Sequence, residues 1–156
     1  MIATLLSVFS CGGDGMEHYN TAGLKFSLPD YMKKANVNYA DVAYANNDGC
    51  EFFIYFYSST ELLTVLYIDK DSTVLEYADW FVGQNGYTGI EREYDEANCK
   101  LIQSYIYESE DLFFYDYIVR NETNLYHITM SCRAEDVEYY KPLFDEWAGY
   151  IELTDM

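Results

Sequence analysis

Asp116 and His127 are the pair in this sequence most able to do acid–base chemistry, and whether they meet depends on strand register. They lie in two of three runs rich in aromatic and β-branched residues, about 98–107, 112–120 and 124–132. Such runs read as strands. Glu108-Ser109-Glu110-Asp111 joins the first two and Asn121-Glu122-Thr123-Asn124 the last two, and both are turn compositions. Pairing Tyr107 with Leu112, and Asn121 with Asn124, sets Asp116 across from Gln103 and Thr129, with His127 on a diagonal. Tyr105, Tyr107, Phe114 and Ile118 share that face, while Ile102, Ile106, Phe113, Tyr115, Tyr117, Val119, Tyr126, Ile128 and Met130 share the other. A slip of one residue exchanges the faces and buries Asp116 among isoleucines, at a cost of roughly several kcal/mol for an ionised carboxylate.

A His–Asp pair becomes catalytic only beside a nucleophile, a metal or an oxyanion hole. Cys132 lies an odd number of positions from His127 and so faces the other way. No serine stands in a nucleophile-elbow pattern. No catalytic residue is therefore assigned, and Gln103, Tyr105, Tyr107, Asp116, His127 and Thr129 are candidate binding residues. Tyr105 and Tyr107 carry amphipathic rings suited to stacking on a sugar or a peptide.

No metal or cofactor is expected. The histidines, His18 and His127, and the cysteines, Cys11, Cys50, Cys99 and Cys132, show none of the paired spacings of a zinc site. Asp69-Lys70-Asp71-Ser72-Thr73 lacks the glycine of a calcium loop, and glycine-rich phosphate loops are absent. The three cysteines after Cys11 read as small buried thiols. With 27 acidic residues against nine basic, the net charge of −18 opposes nucleic acid and anionic lipid. Protein, peptide or glycan partners remain, with contact to a membrane through a lipid anchor only.

The chain's length suits one domain. Residues 23–32 alternate as a half-buried strand ended by Pro29, residues 42–46 suit a short strand, and "CEFFIYFYS" at 50–58 reads as a central one. Between the latter two, Asn46-Asn47-Asp48-Gly49 is a turn. Residues 59–69 show no decisive period. The spacing predicts a helix over 73–83, with a Thr73/Glu76 capping box, Ser72 as a rival cap, and Gly83 to Gly86 as its end. A second helix is expected over about 135–151, with Val137, Tyr140, Phe144, Trp147 and Ile151 on one face and Pro142 bending rather than breaking it.

Residues 1–11 read as a truncated lipoprotein signal segment. The run to Phe9 is apolar and has the length of a signal h-region. Val8-Phe9-Ser10-Cys11 resembles a bacterial lipobox, with Cys11 the lipidated residue; Phe9 is large for its place, and no Lys or Arg precedes it. Residues 12–22 are then expected to be a flexible tether.

"GLKFSLPDYM", "STVLEYADWF", "FFYDYIVRN", "LYHITMSCRAED" and "YYKPLFDEWAGYIEL" together resemble the PsbP-like and Mog-like family over residues 23–153. The resemblance implies an α+β fold, a single antiparallel β-sheet flanked by helices (an α/β/α sandwich). Its members include extrinsic photosystem subunits, a Ran-binding nuclear-transport factor and exported bacterial lipoproteins, and no catalytic residues define it. The expectation is a non-enzymatic binding or accessory module, extracytoplasmic and lipid-anchored at a bacterial cell membrane, of unknown ligand. The alternatives are a hydrolase-like enzyme using Asp116 and His127, and an intracellular protein-binding regulator.

Overall fold

The computed structural model describes residues 7–9, 15–21 and 23–154. Among the described residues, eleven strands and three α-helices follow one another as β1 Ser7–Phe9, β2 Met16–Thr21, β3 Leu24–Pro29, β4 Lys33–Lys34, β5 Val42–Ala45, β6 Glu51–Ser58, α1 Ser59–Thr64, α2 Val74–Asn85, β7 Glu91–Asp95, β8 Lys100–Tyr107, β9 Leu112–Arg120, β10 Asn124–Arg133, α3 Val137–Gly149 and β11 Glu152–Leu153. A 3-10 turn, Ala134–Asp136, leads into α3.

Alternation explains the strands. Odd positions of β9 and even positions of β10 after Asn124 are apolar and share one face, the other face mixes apolar with buried polar residues, and both strands are buried almost throughout because each face is covered. Their register is the expected one: Tyr107 pairs with Leu112, and Asp116 with both Gln103 and Thr129. The seven-stranded sheet runs β4-β5-β6-β10-β9-β8-β7, antiparallel throughout. After β6 the chain crosses one face as α1 and α2, enters at the far edge as β7, and returns by a meander until β10 closes against β6.

A second sheet, ordered β1-β2-β3-β11, corrects the single-sheet expectation. Leu24, Phe26 and Leu28 of β3 are buried against Tyr44 and Phe52 of the large sheet. The small sheet and α3 together cover the face that carries Tyr115, Tyr126, Ile128 and Met130, and Tyr140, Phe144 and Trp147 of α3 enter the same core. Ile106 lies on that face as expected, opposite Phe113, and is half exposed near the end of β8. The opposite face carries the smaller cluster of Leu62, Val74, Tyr77, Ala78, Leu101, Ile118 and Leu125, under α1 and α2.

The capping box of α2 is formed as expected. Thr73 Oγ1 accepts from Glu76 N–H, and Glu76 accepts from Thr73 N–H at 2.8 Å. The helix runs to Asn85, beyond Gly83, and ends where Gly86 takes the left-handed conformation. The undecided stretch 59–69 contributes α1, started by a second capping box between Ser58 and Glu61. Pro142 sits inside an otherwise continuous α3.

Two further readings are corrected. Met16–Thr21 forms β2 rather than a tether, because Tyr19 and Thr21 alternate inward and Tyr19 stacks on Phe26 at 5.0 Å. Of the three later cysteines, Cys50 and Cys132 are buried free thiols, but Cys99 is exposed in the turn between β7 and β8. Within the expected signal segment, the Ser7–Phe9 backbone pairs with His18–Asn20 at the margin of the small sheet. Cys11 lies outside the described residues.

Candidate functional site

The face of the large sheet beneath α2 is built from cross-strand rows. The first aligns Glu51, Ser131, Phe114 and Tyr105. The second aligns Phe53, Thr129, Asp116, Gln103 and Arg92. The third aligns Tyr55, His127, Ile118, Leu101 and Tyr94. A polar row thus lies between one that pairs two polar with two aromatic residues and one that is mainly apolar.

Asp116 is the hub of the polar row and has no solvent exposure. Its Oδ2 accepts from Gln103 Nε2 at 3.0 Å, and its Oδ1 accepts from Thr129 Oγ1 at 2.9 Å. His127 Nε2 lies 3.1 Å from the same Oδ1, and the Tyr105 hydroxyl also bonds to this carboxylate. The Gln103 carbonyl in turn accepts from Arg92 Nε and Nη2, at 3.2 and 2.9 Å, and Arg92 Nη1 reaches Asp79 of α2 at 2.6 Å. Gln103 can hold only one orientation that accepts from Arg92 while donating to Asp116. A buried carboxylate is tolerated when every lone pair finds a donor, and here four side chains and a relayed guanidinium supply them.

His127 is also closed. Its Nδ1 meets the Tyr77 hydroxyl at 3.0 Å, and its ring packs edge-on against Phe81 at 4.7 Å. In a Ser–His–Asp relay the carboxylate and the nucleophile occupy opposite ring nitrogens. Here Asp116 and Thr129 share Nε2, at 3.1 and 3.2 Å, and a tyrosine holds the other nitrogen. The arrangement can order a sheet, but it has no path for passing a proton from Thr129 through the ring to Asp116.

Beside this sealed row the face opens. α2 covers Leu101, Ile118 and Leu125 but leaves a cavity of about 590 Å³ toward the end of the sheet that carries Glu51 and Leu112. Ten of its eighteen lining residues are Phe, Tyr or Trp, far above the aromatic share of the chain, so the cavity is distinct from an average surface depression. Its rings form a continuous path: Tyr55 to His127, His127 to Phe81, Phe81 to Tyr87, then Tyr105 and Phe114, with centroids 4.4 to 5.8 Å apart. Tyr105, His127 and Thr129 reach this lining, whereas Asp116 and Gln103 do not. Tyr107 is half buried, with Tyr87 edge-on at 5.6 Å. Burial raises the hydroxyl pKa values of Tyr55, Tyr57, Tyr77, Tyr87 and Tyr105, so these rings are neutral at physiological pH.

Sequence reasoning missed the walls of this cavity. Phe53, Tyr55 and Tyr57 alternate within "CEFFIYFYS" and so had to share one face, which was a usable signal. Trp80, Phe81 and Tyr87 gave none, because their inclusion depends on how far α2 extends over the sheet. Among the described residues, no three His, Cys, Asp or Glu side chains are grouped to hold a metal, and no helix is long and apolar enough to cross a membrane.

Fold and site together define a class: an antiparallel α+β domain whose polar hub is sealed and whose adjoining aromatic cavity is open. Its fold is similar to that of cyanobacterial PsbP (CyanoP) from Synechocystis sp. PCC 6803, with a TM-score of 0.58 over 93% of this chain and 98% of that one. The two sequences are 16% identical, so the likeness is one of fold. No family model matches the sequence, and no curated protein matches it either.

Proposed function

We propose that this chain is a non-enzymatic binding or accessory module, exported and lipid-anchored through Cys11, whose aromatic cavity receives the ligand. The observation that carries the reading is the contrast between the two halves of the covered sheet face. The acid–base groups are saturated by neighbours, while a cavity of the size that suits a small ligand stands open and walled by rings. Non-enzymatic service is also in keeping with the PsbP-like fold, which supports the reading by analogy only.

The cavity is tested with Nile red, a neutral apolar dye. The full chain is expected to bind it with a blue-shifted emission, and Gln84→Trp, an exposed α2 position on the rim, is expected to abolish the effect without lowering the melting temperature. Dye binding unchanged by that substitution, or absent from the parent chain, overturns the cavity as a ligand site.

Export rests on the lipobox-like Val8-Phe9-Ser10-Cys11. Cleavage before Cys11 removes β1, a three-residue edge strand, and leaves the β2–β3 pairing in place. Mass spectrometry of protein from the native cell is expected to find a mature N-terminus at Cys11 carrying acyl mass. A chain that retains β1 and is unmodified removes the export claim.

A further inference from the structure

The cavity has a charge character that its apolar walls do not require. Glu51 and Glu110 line it, and no Lys or Arg does so among the described residues. Asp116 lies immediately behind the wall, and its charge acts on Tyr55, Tyr77, Tyr87 and Tyr105. Glu51 acts likewise on Tyr39 and Tyr55, and Glu110 on Tyr87. Among the described residues, His127 is the only lining group able to carry a positive charge, and both its ring nitrogens are already engaged. The chain as a whole carries −18, so no distant positive field offsets this.

Ring faces are the negative pole of an aromatic quadrupole, and carboxylates at the rim add to them. An anion in this cavity meets repulsion from the ring faces and carboxylates, and a neutral ligand gains area burial without a charge term. A weakly hydrated organic cation gains both terms and loses little water on leaving solvent. Resting on the reading of the cavity as a ligand site, we propose that it selects a compact organic cation, an ammonium or guanidinium head on a short stem. Such a head comes either as a free small molecule or as a side chain presented by a peptide.

The experiment compares shape-matched ligands. Isothermal titration of the full chain with choline and with 3,3-dimethylbutan-1-ol, its uncharged isostere, separates charge from shape. Choline is expected to bind about tenfold more tightly, the scale of a partly desolvated cation–π contact. N-acetyl-argininamide supplies the peptide-borne head; tighter binding than choline assigns a side-chain source, weaker binding a free one. Replacing both rim carboxylates, Glu51→Gln with Glu110→Gln, is expected to weaken choline severalfold and leave the isostere unchanged. Gln84→Trp keeps the net charge while filling the rim, so choline binding that survives it is diffuse attraction to an acidic surface and overturns the proposal. Equal binding of choline and its isostere, or none by either cation, also overturns it. In each case Nile red binding decides separately whether the cavity is a ligand site at all.

Discussion

Asp116→Ala is expected to cost on the order of 3–5 kcal/mol of folding stability, the range for removing one partner from a buried charged cluster. In a chain of this length that is a fall of roughly 6–20 °C in melting temperature. The carboxylate leaves four donors behind it, on Gln103, Thr129, His127 and Tyr105, each of them buried and deprived of its acceptor. Thr129→Val removes a single donor from the same hub and is expected to cost about 1 kcal/mol. Glu93→Ala, on the exposed edge strand β7, is expected to stay within about 0.5 kcal/mol. Urea unfolding of the three variants checks the order. A hub variant no worse than the edge variant would mean that the buried carboxylate organises nothing.

Above pH 10 the domain is expected to lose stability steeply. Burial pushes the Tyr44 hydroxyl up to about 12 and the Cys132 thiol to about 11, and it raises Tyr77, Tyr105 and Tyr115 as well. Tyr115 is further raised by donating to Asp145 at 2.9 Å. An unfolded tyrosine gives up its proton near pH 10, whereas these hold theirs in the fold. Below that pH the tyrosines are protonated in both states and leave stability unaffected, while Cys132 begins to act about one pH unit earlier, near the ordinary thiol pKa. Above it the unfolded state binds fewer protons, so stability falls as pH rises until the folded groups titrate too. Each of these tyrosines contributes about 1.4 kcal/mol per pH unit, and the four together remove roughly 5 kcal/mol by pH 11, comparable to the whole stability of many domains. Denaturant titrations from pH 8 to about 11.5, followed through phenolate absorbance, read this directly. A flat profile through pH 11 refutes it.

What was legible in the sequence was what depends on parity. Strand side chains alternate with period two, so two turn lengths suffice to bring Asp116 opposite Gln103 and Thr129 with His127 nearby. The α2 start was legible for an equally local reason, since Thr73 and Glu76 satisfy one another three residues apart. The features that escaped depend on distant chain segments. β11 pairs with β3 across most of the chain's length, and no local pattern marks two residues as that partner. β2 was hidden by its polar neighbours, although Tyr19 and Thr21 hold its inward positions. β7 escaped because an edge strand carrying Glu91, Glu93 and Asp95 has little apolar content to show. The cavity escaped because it is a gap: it exists where α2 stops, and its aromatic walls come from segments far apart in the chain.

The two outermost strands of the seven-stranded sheet bear on how copies of this chain treat each other. One margin is Lys33–Lys34 and the other is Glu-Arg-Glu-Tyr-Asp, both largely exposed. A tyrosine-rich β-layer with bare margins is a template for runaway stacking into fibrils. Here an arriving strand would have to strip hydration from ionised groups before its amides could join the ladder, so these residues act as guards that keep the molecules apart in solution.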